Sequence, residues 1–121
     1  MRTIRTTFAS SLNAVAVSEI SIHELAARLE SGAVLIDVRQ PEEYTAGHVP
    51  GARLVPLAEV PAHVDELPTD RPVLLICRSG ARSLTAAEFL ARHQIDAVNV
   101  AGGTLAWVES GRDVVTGPGA T

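Results

Sequence analysis

RPVLLICRSGARSLTAAEFLARHQIDAVNV, residues 71–100, carries a strand-like run, a loop, a helical run and a second strand-like run in that order. RPVLLI is apolar and β-rich, as expected of a strand buried on both faces. It ends on Cys77, the only cysteine of the chain. After the loop, Leu84, Ala87, Phe89, Leu90 and Ala91 fall at helical spacing, and DAVNV is again short and apolar. Strand, helix and strand in alternation predict an α/β fold.

The flanks extend the pattern. Ser21 to Glu24 is an S-x-x-E capping box that opens a helix over about residues 22–30, closed by Gly32. VLIDVR, from Val34, reads as a second buried strand that turns polar at Asp37, and PEEYTAG as a short helix with Pro41 in its first turn. GHVPGA is a loop, RLVPL a short strand stopped by Pro56, and residues 57–67 are irregular helical turns. After the Ala101–Gly103 break, TLAWVESG makes a last helix with Trp107 as its apolar anchor. The prediction is a central, mostly parallel sheet of about five strands with helices on both faces. Such sheets bind ligands beyond the C-terminal ends of their strands, where Cys77 sits.

The chain divides into an extension over residues 1–16, a domain over 17–111 and a tail over 112–121. Its 121 residues suit one domain that needs no disulfide to fold. The extension shares the arginines, hydroxyl residues and lack of acids of targeting peptides, but has no apolar segment followed by a cleavage site, so a solvated arm is expected. With 14 acidic against 10 basic residues and no basic stripe, nucleic acid is not an expected partner. The apolar runs are too short to span a bilayer, and a cytoplasmic location is expected. No paired Cys or His spacing points to a metal, and the chemistry calls for no cofactor.

A lone thiol is either inert packing or chemistry, and its neighbours favour chemistry. The helix starting near Ala81 directs unpaired amides and its positive dipole end at the loop. Gly80 permits a turn in which successive amides face inward as an anion nest. Arg78 and Arg82 add positive charge. In such surroundings a cysteine pKa falls from about 8.5 into the range of about 3.5 to 7.5.

Three separated motifs in order, VLIDVRQPEEYTAGHVPGA, ICRSGARSLTAAEFL and VAGGTLAWVESG, resemble the signatures of single-domain rhodaneses, the thiosulfate sulfurtransferase-like family. The resemblance implies that Cys77 takes the outer sulfur of an anionic donor such as thiosulfate, becomes a persulfide, and passes the sulfur to cyanide or a thiol. It further implies that Arg78, Ser79, Gly80, Ala81, Arg82 and Ser83 cradle that sulfur, that Arg78 and Arg82 hold the donor, and that Asp37 and Arg39 brace the surrounding loops. A sulfur-relay protein is a further candidate partner. From Cys77 to Arg82 there are six residues, the sulfurtransferase length. Cysteine-cradle phosphatases have a longer ring, whose closing position here is Ser83.

Glu43, Tyr44 and His48 lie in the first signature, and His48 reads as a loop fastener. Gly102 and Gly103 read as the turn that lets the final helix pack. Two residues depart from the family pattern: Ile76, where an aromatic is common, and Gln94, where a glycine often ends the helix. Two other readings stand beside the enzyme: a docking or regulatory module with the same fold, and a redox sensor built on a single low-pKa thiol.

Overall fold

The computed structural model describes residues 16–121. The predicted extension over residues 1–16 lies, but for its last residue, outside them. Five strands form one sheet: β1 (Ser18–Ile20), β2 (Val34–Asp37), β3 (Arg53–Leu54), β4 (Val73–Ile76) and β5 (Ala97–Val100). Their order is β1-β5-β4-β2-β3, and every pairing is parallel. The helices are α1 (Ile22–Glu30), α2 (Pro41–Ala46), α3 (Val60–His63), α4 (Ala81–Ala91) and α5 (Gly103–Glu109). Short 3-10 turns flank α3 on both sides. The expected α/β sheet is therefore present. None of these helices is long and apolar enough to cross a membrane.

Strand β4 is the middle of the sheet, and all four of its residues are buried. Its side chains alternate between two cores, as strand geometry requires. Val73 and Leu75 join Ala86, Ala87 and Leu90 of α4 on one face. Leu74 and Ile76 join Leu25 of α1, Tyr44 of α2 and Trp107 of α5 on the other. An apolar residue at every position of VLLI is thus the signature of a strand covered twice.

Ser21 caps α1 as the capping box predicts, its side chain accepting the Glu24 amide at 3.2 Å. Strand β1 has no counterpart in the sequence reading. It is a three-residue edge strand with one buried side chain, too short to show a period. The last residues, a tail by composition, pack on α2: Val115 pairs antiparallel with His48, and the Gly117 amide donates to the Thr45 carbonyl.

Gln94 stands at φ 69°, the one described non-glycine residue in the left-handed region. That conformation costs an L-residue about 1–2 kcal/mol, more than glycine's added chain entropy. The departure from glycine therefore leaves a strained residue at the end of this helix. Gln94→Gly is expected to raise stability by up to about 1 kcal/mol, read as the urea midpoint at unchanged slope.

Candidate functional site

Cys77 follows β4 directly and is 1% exposed. The chain must then reverse from strand to helix within three residues. Gly80, at φ 118°, makes that reversal, and α4 starts at the next residue. The turn aims donors at the sulfur: the Gly80 amide lies 3.1 Å from Cys77 Sγ, and Ser83 Oγ lies 3.3 Å away. Burial pushes the thiol up, but the Ser83 hydroxyl and the backbone amides of Ser83, Gly80 and Ser79 outweigh it and hold Cys77 below its ordinary value. The first turn of α4 contains no acid to oppose them.

The two arginines of the loop part company. Arg82 forms a two-pronged ion pair with Glu43, with N···O distances of 2.7 and 2.9 Å. Its hydrogen bonds therefore go to α2 rather than to the thiol, so of the two positive charges expected at the loop this one is offset by a carboxylate. Arg78 is exposed and makes no ion pair or side-chain hydrogen bond among the described residues. Ser79 and Ala81 are exposed on the rim, and Ser83 is fully buried.

Glu43 also accepts the Gln40 amide. The Arg82 hydrogen bond, more than this one, pulls the Glu43 carboxyl down from 4.5 to about 2. A depressed carboxyl stabilises the fold above its unfolded pKa. The contribution is fully present above pH 4.5 and is lost as pH falls toward 2. With side chains 35% and 28% exposed, solvent screening reduces the pair to about 1–2 kcal/mol. Glu43→Gln is expected to cost that much at pH 7 and progressively less in acid, measured by urea unfolding across the range.

Asp37 and Arg39 form a second pair, and this one is buried. Asp37 accepts the Arg39 backbone amide and both prongs of its guanidinium, at 2.9–3.2 Å. The same guanidinium donates to the Gly47 carbonyl at 2.9 Å. No hydrogen bond joins either residue to Cys77, and the geometry is that of a brace between β2 and the chain leaving α2. His48, stacked on Tyr44 with ring centroids 3.6 Å apart, lies 2.7 Å from the Tyr44 carbonyl and 2.8 Å from that of Gly119. It fastens the tail and faces backbone rather than the thiol.

Three residues outside the sequence-based site complete the cradle. Asn99 of β5 is buried; its Oδ1 accepts from Ser83 at 2.6 Å, while its Nδ2 donates to Gly80 O and to Glu19. An amide inside an otherwise apolar strand was the available signal. Thr104 donates through its amide and its hydroxyl to the Cys77 carbonyl, and the Leu105 amide donates to that of Arg78. The start of α5 thus grips the backbone on which the thiol rides. Gly103 permits this approach, since a Cβ there would lie 2.5–2.6 Å from the Cys77 and Arg78 carbonyl groups.

Residues 21–110 match the model of the rhodanese-like domain family. A sulfurtransferase of Allochromatium vinosum is 37% identical over 106 residues, covering 85% of this chain and 99% of that protein. The crystal structure of a rhodanese-related protein from Thermoplasma volcanium superposes with a TM-score of 0.77 at 30% identity, covering 83% of this chain and 99% of that one. The human single-domain sulfurtransferase TSTD1 superposes at 0.67 with 32% identity, over 78% and 97% of the two chains. With the strand-ending cysteine, its cradle and these likenesses in agreement, the chain belongs to the rhodanese-like domain family and is related to its sulfurtransferases.

Proposed function

We propose that this protein is a persulfide-forming sulfurtransferase, with Cys77 as nucleophile and carrier. The observation that carries the reading is the thiol itself, held low by the Ser83 hydroxyl and loop amides at the end of β4. The Cys77 thiolate attacks the outer sulfur of thiosulfate, the S–S bond breaks, and sulfite leaves with the electron pair. The persulfide that remains is an anion, and the same N–H and O–H donors that held the thiolate hold it. Cyanide or a thiolate then attacks the outer sulfur, and Cys77 departs as the thiolate.

Arg78 is the group suited to draw in a dianionic donor, because its charge is unspent. Arg82 serves the loop from its pairing with Glu43. Among the described residues there is no second cysteine, so no neighbouring thiol can discharge the persulfide as an internal disulfide.

The test is an intact-mass measurement after incubation with thiosulfate. One added sulfur is expected, released by cyanide and absent from Cys77→Ser. A folded protein whose Cys77 reacts with iodoacetamide yet gains no sulfur would reject thiosulfate as donor.

A further inference from the structure

The large apolar side chains exposed among the described residues are Leu105, Val108 and Val114, at 36%, 51% and 38%. All three line one groove of about 450 Å³. Their coincidence is notable physically, because scattered apolar exposure is ordinary and a contiguous patch beside a reactive group is not. The groove abuts the cradle directly, since the Leu105 amide holds the Arg78 carbonyl and Arg78 itself lines the wall.

The charges around the groove are nearly all spent. Arg39 is committed to Asp37 and Gly47, and Glu43 to Arg82. Every described arginine except Arg78 has a partner. What remains is an aliphatic surface with one guanidinium, unpaired among the described residues, on the residue next to Cys77.

We infer that this groove docks the sulfur acceptor, and that the acceptor is a protein thiol on an aliphatic segment with a neighbouring carboxylate for Arg78. The inference rests on the sulfurtransferase reading and names the acceptor class for the same site. Cyanide and glutathione are too hydrophilic to gain from three aliphatic side chains, whereas leucine and valine side chains gain by burial there. A second copy of this chain fits poorly, because the one carboxylate lining this face, Glu43, is already committed to Arg82 and offers Arg78 nothing. In the transfer, the acceptor thiolate attacks the outer sulfur of the Cys77 persulfide. The Cys77 S–S bond breaks, Cys77 leaves as thiolate, and the acceptor becomes the persulfide.

The experiment loads the full chain from thiosulfate and follows discharge by mass. Three acceptors are compared: cyanide, glutathione, and a blocked cysteine peptide whose thiol is flanked by leucine, valine and glutamate. Second-order discharge by the peptide is expected to exceed that by glutathione at least about tenfold at equal thiolate concentration, and replacing its glutamate by glutamine is expected to remove part of that gain. Val108→Asp is expected to abolish the gain while leaving discharge by cyanide within about twofold, since the Val108 side chain is half exposed and no hydrogen bond joins Val108 to Cys77, Gly80 or Ser83. Equal rates for peptide and glutathione, or a peptide advantage that survives Val108→Asp, would overturn the inference. Failure to load any sulfur would instead overturn the sulfurtransferase reading, and the cyanide arm tells the two apart.

Discussion

Gly103→Ala is expected to lower the melting temperature by about 10 °C or more and to cut the rate of sulfur loading at least tenfold. A Cβ at this position would sit 2.5 Å from Arg78 O and 2.6 Å from both Arg78 C and Cys77 O, and all three are backbone atoms. A flexible side chain could swing aside, but backbone cannot. Either α5 retreats or the loop does, and relieving an overpacked contact costs about 1–3 kcal/mol. The φ of 61° adds about 1–2 kcal/mol for any residue with a Cβ. One displaced atom belongs to Cys77 itself and the other two to the residue after it, so the sulfur must move relative to the Gly80 amide and Ser83. Gly51→Ala separates the two costs: its φ is 90° and no atom lies within 4 Å of the added Cβ. It is expected to lose only the conformational share of stability and to load sulfur normally. Equal losses of loading in both variants would show that the α5 grip does not position Cys77.

The contrast between Gly103 and Gly80 shows what the sequence could and could not disclose. Gly80 follows a lone cysteine and precedes a helical run, so its role as the reversal between strand and helix is local and readable. Gly103 has neighbours that say only that a helix starts; its constraint comes from carbonyls more than twenty positions away. The same holds for Arg82. Local spacing places it beside the thiol as a positive charge, and only the folded chain reveals Glu43 waiting across the site. Strands β2 and β4 were legible as continuous apolar runs, and helices α1 and α4 by apolar residues at helical spacing, signals that each lie within a single element. Pairing between elements leaves no periodic trace, so the brace at Gly47, the grip of Thr104 and the anchoring of the tail by His48 had to be observed.

Asn99→Asp is expected to impair Cys77 more deeply than Ser83→Ala, although no hydrogen bond joins Asn99 to the sulfur. Ser83 has one proton and three acceptors within reach: Asn99 Oδ1 at 2.6 Å, and Cys77 Sγ and Gly80 O at 3.3 Å. The Asn99 amide is fixed in orientation, because its nitrogen faces the Glu19 carboxylate and the Gly80 carbonyl, which can only accept. Its oxygen must therefore face Ser83. While sulfur is neutral, the shorter bond to Asn99 holds the hydroxyl; as sulfur becomes anionic, the proton turns to it, in a bond worth about 1.5–3 kcal/mol. Ser83→Ala deletes that donor, so the thiol titrates higher and loading at neutral pH drops about tenfold. Asn99→Asp keeps the shape but substitutes an anion that competes for the same proton, repels the thiolate, and faces Glu19 as a like charge. The pH dependence of iodoacetamide alkylation reads the thiol directly: the midpoint is expected to rise in Ser83→Ala and to rise further in Asn99→Asp. Midpoints that stay at the wild-type position in both variants, with the fold intact, would mean that the amides of the loop alone hold the thiolate and that the hydroxyl relay from β5 is only structural.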